Sequence, residues 1–147
     1  MTFWDSSAVI PLCVEEPLTA AARDILEADR EMAAWWGTPV ECRSAFARFG
    51  REGVPEVTGL RRAIEALEAI SRTWLEINPS ERVRDLAIRV LSVHPLRVAD
   101  SLQLAAALLW AGHSPRGRGF ACLDRKLREA ASAEGFIVLP EHLPAAD

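Results

Sequence analysis

Four acids in this chain stand where a carboxylate can do more than solvate a surface: Asp5, Glu41, Asp100 and Asp124. Asp5 closes the apolar triplet Thr2-Phe3-Trp4, and Asp124 closes Ala121-Cys122-Leu123. Each lies where a short strand turns into a helix. Ligands of open parallel sheets gather beyond the carboxyl ends of the strands, so two neighbouring strands would bring both carboxylates to one edge. Aspartate is also a favoured helix cap, and capping alone accounts for either position. Asp100 is followed at helical spacing by Leu104, Ala107 and Leu108, which aims it from an apolar face toward the interior. A lone buried carboxylate is costly unless paired, hydrogen-bonded or bound to metal; the competing reading is an acid facing the positive end of its helix. Glu41 lies three residues after Thr38 and has a capping-box reading beside the functional one.

Several carboxylates in one cleft repel one another and raise their own pKa values. A hard divalent cation, Mg²⁺ or Mn²⁺, relieves that conflict with oxygen ligands alone. Such sites serve phosphoryl chemistry, where the ion activates water and stabilises charge on phosphate oxygens. A bare acidic cleft would repel nucleic acid, so substrate binding should itself depend on the metal. Other chemistries lack their residues. No phosphate-cradling loop opens a helix, and nothing matches a nucleophile elbow. The three histidines and three cysteines show no zinc-ligand spacing, and no local pattern supports a Cys–His pair.

The elements that must position these acids read as strands at residues 2–4, 32–36, 74–77, 120–123 and 136–139. Between them run helical stretches: a short one after Asp5, one opening at Pro17, one capped by Thr38 with Pro39 in its first turn, and one after Pro55. Others span 80–92, 98–111 and 125–134. Val40, Phe46 and Phe49 ride on the third of these, and Leu60, Ile64 and Leu67 on one face of the fourth. The alternation argues for a three-layer α/β/α sandwich around a mainly parallel sheet. At 147 residues, 50% hydrophobic and 26% charged, the chain suits one globular domain, with residues 141–147 as a loosely held tail. The longest apolar run, residues 105–112, is far short of the ~20 needed to span a membrane. With no signal-like N-terminus and an odd cysteine count, a cytoplasmic protein is expected.

The formal net charge of −4 excludes a generically basic nucleic-acid binder. Lys126 is the single lysine; the other sixteen of the seventeen basic residues are arginine. Arg43, Arg97, Arg116, Arg118, Arg125 and Lys126 form a candidate substrate rim, since the guanidinium fork suits phosphate. Trp4, Trp35 and Trp74 fall in strands and are expected to pack in the core.

The order Asp5-Ser6-Ser7-Ala8, then Thr38-Pro39-Val40-Glu41, then Leu96-Arg97-Val98-Ala99-Asp100-Ser101-Leu102-Gln103-Leu104-Ala105, then Leu123-Asp124-Arg125-Lys126-Leu127 resembles PIN-domain proteins. Within them it is most similar to VapC toxins of bacterial type II toxin–antitoxin systems. The resemblance implies strand order 3-2-1-4-5 and a Mg²⁺- or Mn²⁺-dependent endoribonuclease acting on structured RNA, tRNA or rRNA. On that model Asp5, Glu41, Asp100 and Asp124 hold one or two ions, and Ser7 helps hold the metal's water. In-line attack leaves a 5′-phosphate and a 3′-hydroxyl. It also implies a homodimer and a VapB-type antitoxin whose C-terminal segment blocks the active site, with operator DNA reached only through that antitoxin. Cys122 departs from the family, which has Thr or Ser two residues before the fourth acid; a thiol is the weaker hydrogen-bond partner. A catalytically weak binding module of the same fold, or a PIN nuclease of RNA processing or DNA repair, are the alternatives.

Overall fold

The computed structural model describes residues 1–53 and 57–145. The apolar runs form five short strands: β1 (Thr2–Trp4), β2 (Met32–Trp35), β3 (Leu75–Ile77), β4 (Gly119–Ala121) and β5 (Ile137–Leu139). Parallel neighbours cannot be joined by a tight turn, so each link carries helix. These are α1 (Ser6–Cys13) and α2 (Thr19–Ala28), α3 (Thr38–Glu52) and α4 (Val57–Ser71), α5 (Glu81–Val93) and α6 (Val98–Trp110), and α7 (Arg125–Glu134). All strand pairs are parallel and the sheet order is β3-β2-β1-β4-β5.

Alternation along β1 divides the core. Phe3 joins Ala33, Trp35 and Phe120 under α5, α6 and α7. Trp4 faces the other way and joins Ala34, Ala121, Val9, Cys42 and Phe46 under α1 to α4. The expected α/β/α sandwich is the observed one. β1 and β2 are buried along their whole length, as central strands covered on both faces must be. Trp4, Trp35 and Trp74 are core residues. Among the described residues no helix is long and apolar enough to cross a membrane.

The chain runs from β1 outward to β2 and β3, then returns to place β4 on the other side of β1. The gap between β1 and β4 is thus the topological switch point, where an open parallel sheet leaves a crevice. Asp5 follows β1 and Asp124 lies beyond β4, both at that edge.

Several expected boundaries move. Leu123 and Trp74 lie outside the paired strands, and β2 ends at Trp35. Gly37 rather than Thr38 is the N-cap of α3, and no side chain caps that helix. Val40 is 68% exposed and takes no part in the core. The start of the fourth helix at Pro55 falls outside the described residues, while Leu60, Ile64 and Leu67 of α4 pack as expected. The segment after β5 is tied down at its start: the Arg128 guanidinium donates to Pro140 O at 2.6 Å and Glu141 O at 3.3 Å.

Candidate functional site

Asp5 reaches the switch point because β1 ends one residue before it and its own backbone still bonds to β4, through its N–H and Ala121 O at 2.9 Å. The side chain is 3% exposed. Its Oδ2 caps α1, accepting the Ser7 N–H at 3.0 Å, and it also accepts the Ser7 hydroxyl. The Cys122 thiol packs 3.6 Å from the same oxygen. Ser7 Oγ in turn accepts the Leu123 N–H at 2.8 Å. That hydroxyl is engaged within the protein on both sides, and its direct partner is the Asp5 carboxylate.

Glu41 comes from the first turn of α3, but not as a capping box. Its Oε1 accepts the Ser6 hydroxyl at 3.2 Å and its Oε2 accepts Gln103 Nε2 at 2.8 Å. Gln103 Nε2 also donates to Thr38 Oγ1 at 2.9 Å. The two polar residues that read as a helix-start pair therefore meet an amide from α6 instead of each other. Sequence reasoning passed over Gln103 and Ser6. The available signal was a polar residue within Leu102-Gln103-Leu104-Ala105, three positions from Asp100 and so on its helix face.

Asp100 stands half-buried in the first turn of α6, above the buried Leu104, Ala107 and Leu108. Asp124 is exposed and caps α7, accepting the Leu127 N–H at 2.9 Å. The capping reading of Asp124 is thus satisfied, and its charge also bears on Asp100.

The electrostatics are those of crowded acids. Burial pushes the Asp5 carboxyl up to about 6, against the pull of the Ser7 hydrogen bonds, and the Asp100 charge adds to the rise. Burial, then repulsion from Asp5, raises Glu41 to about 7, with Asp100 adding less. Asp100 is also raised, first by burial and then by Asp124, while the Arg97 backbone and the charges of Arg97 and Lys126 oppose the rise. Burial keeps the Cys122 thiol far above its usual range, so it is a neutral neighbour of Asp5. Asp5, Glu41 and Asp100 each lie within the field of the other two.

The rim divides. Arg97 and Lys126 act on Asp100 and are exposed, and Arg125 is exposed at the start of α7. Arg43 is exposed on α3. Arg116 and Arg118 precede Gly119, the first residue of β4, which places them at the end of that parallel strand opposite Asp124. There the Arg118 guanidinium lies 5.2 Å from the centre of the Trp110 ring, and its backbone carbonyl accepts Ile137 N–H at 2.9 Å.

Among the described residues no salt bridge neutralises Asp5, Glu41, Asp100 or Asp124. Asp5 Oδ1 accepts no hydrogen bond there. Oxygen donors that repel one another without a cation suit a hard divalent ion in kind. As the side chains lie, no three carboxylate, imidazole or thiol groups among the described residues gather as closely as a shared ion requires.

No protein-family model and no curated protein matches the sequence. Solved structures do. The VapC20 toxin of Mycobacterium tuberculosis, which cleaves the sarcin–ricin loop, is 15% identical, with 98% of this chain and 100% of that one covered at a TM-score of 0.66. FitAcB from Neisseria gonorrhoeae is 18% identical over 97% and 100% of the two chains, also at 0.66. A toxin–antitoxin complex from Klebsiella pneumoniae is 18% identical over 86% and 88%, at 0.61. At these identities the likeness is one of fold: the chain has the α/β/α, PIN-like architecture of the family its sequence resembles.

Proposed function

We propose that this protein is a metal-dependent endoribonuclease, the toxin of a toxin–antitoxin pair. The observation that carries the reading is that Asp5, Glu41 and Asp100, spread over 95 positions of the chain, come near enough at the switch point to raise one another's pKa, with no salt bridge to any of them among the described residues. Asp5, Glu41 and Asp100 would hold Mg²⁺ or Mn²⁺, with exposed Asp124 bordering Asp100 as the acid of a second ion. Bound there, the ion would offset the clustered charge, activate water and stabilise charge on phosphate oxygens.

The chain's own residues do the rest. Ser7 and the α1 backbone fix Asp5 Oδ2 and leave Oδ1 free; Ser6 and Gln103 fix Glu41. Arg97, Lys126 and Arg125 would meet the substrate phosphates, with Arg43 farther along the rim. A cation must displace the proton that Glu41 retains near pH 7, so its affinity rises with pH. Structured RNA is the proposed substrate class, supported by the sarcin–ricin-loop cleavage of one protein of the same fold. An antitoxin partner is supported by the complex among those structures. A homodimer, operator binding through the antitoxin and a cytoplasmic location complete the reading.

The test is cleavage of total RNA by the parent protein and by Asp5→Asn and Asp100→Asn, with Mg²⁺ or Mn²⁺ and with EDTA. We expect 5′-phosphate ends from the parent alone, and only with metal. Full activity in a clean preparation of either variant would overturn the reading. A non-catalytic binding module is favoured by one observation, the thiol packed on Asp5. It predicts no Mn²⁺ binding at millimolar concentration.

A further inference from the structure

Gln103 is wholly buried on α6, one turn beyond Asp100, and its amide crosses to α3. The carboxylate of Glu41 can only accept while ionised, so it requires the amide nitrogen. Thr38 Oγ1 can accept or donate and does not decide the matter. With Nε2 serving both, the amide oxygen of Gln103 is left buried with no partner among the described residues. Turning the amide over would satisfy that oxygen from the Thr38 hydroxyl but set it against the Glu41 carboxylate. An orphaned carbonyl oxygen in a closed core is disfavoured, and Leu or Met would fill the space without one. The orientation of this side chain is therefore dictated by Glu41.

Asp5 and Asp100 repel Glu41, and among the described residues no cationic group balances it. An arginine or lysine in place of Gln103 would hold Glu41 but cancel the charge that attracts a cation. A neutral amide holds it and leaves that charge intact. We propose that Gln103 is a positioning residue, whose Nε2 amide keeps the Glu41 carboxylate in the acidic cleft with Asp5 and Asp100. This rests on the metal-dependent reading above.

Mn²⁺ alone, titrated by calorimetry into the full chain, is the probe. Gln103→Met keeps the volume and removes the donor; we expect affinity to fall roughly tenfold to a hundredfold, as for other outer partners of metal ligands. Glu41→Gln should fall at least as far, and the double variant no further than Glu41→Gln alone. A merely structural role would instead make the two losses multiply. That outcome, or parent-like affinity in Gln103→Met, would overturn the proposal while leaving the nuclease reading intact. A parent that binds no Mn²⁺ would overturn both. If Gln103→Met fails to fold, the parent decides: its Gln103 side-chain amide resonances should exchange slowly and move in Glu41→Gln, and unmoved resonances would refute the link.

Discussion

The Ser7 hydroxyl accepts the Leu123 N–H at 2.8 Å while donating to the Asp5 carboxylate, so one side chain joins the segment beyond β4 to the acid beyond β1. Ser7→Ala leaves the Leu123 N–H without its acceptor and takes a donor from Asp5. Stability should fall by about 1–2 kcal/mol in urea unfolding. The Asp5 carboxyl, followed by carbon-13 NMR, should titrate above its parent value of about 6, because the Ser7 hydrogen bond lowers it.

The raised acids set the pH dependence of the metal-free protein. Unfolded, Asp5 and Glu41 release their protons near 3.8 and 4.5; folded, they hold them to about 6 and about 7. The folded state binds more protons in that window, so stability falls as pH rises from about 4 to about 7 and then levels. The lowered carboxyls of Asp29 and Glu134 act in the opposite sense, their contribution essentially complete by about pH 5. The Asp5 share is roughly 3 kcal/mol. In EDTA, Asp5→Asn should therefore melt higher than the parent at pH 8 and differ little at pH 4. A parent protein more stable at pH 8 than at pH 5 would refute this.

Cys122→Ser puts a stronger donor where the thiol lies 3.6 Å from Asp5 Oδ2. The Asp5 carboxyl should titrate lower than in the parent, so the loss of stability with rising pH should be smaller and end at lower pH. The same NMR titration reads both Ser7→Ala and Cys122→Ser, with opposite signs.

Charge reversal separates the two edges of the sheet. Arg97→Glu and Lys126→Glu, beside Asp100, should weaken RNA binding, each lowering the salt dependence by about one counterion. Arg116→Glu and Arg118→Glu, which precede β4, should leave both unchanged. Binding measured across a salt series to an Asp100→Asn background avoids cleavage during the assay.

Arg128 donates to Cys122 O at 2.8 Å and to the carbonyls of Pro140 and Glu141, tying the chain after β5 to the end of β4. Arg128→Ala should destabilise the fold by about 2 kcal/mol. Limited proteolysis should then cut after β5 well before the core is lost.

The strand-and-helix alternation was legible because a period of two and a period of 3.6 leave different apolar patterns. Phe3 and Trp4 divide between the two core faces as adjacent strand residues must. Boundaries were less legible. Trp36 and Leu123 are as apolar as their neighbours, and only backbone pairing decides that the strands stop before them.

By itself the sequence determined which residues are acids, that each follows a strand or opens a helix, and that the layers are α/β/α, since these depend on local periodicity and turn chemistry. The tertiary structure alone decided which of them come near enough to repel one another. Strand order puts β1 beside β4 and lets Asp5, Glu41 and Asp100 act on one another's charge, while sending Arg116 and Arg118 to the far edge. It also turned Thr38 and Glu41 from a capping pair into partners of Gln103, 62 positions on from Glu41. Repulsion and hydrogen bonding fall off with distance through space, and distance along the chain does not measure it.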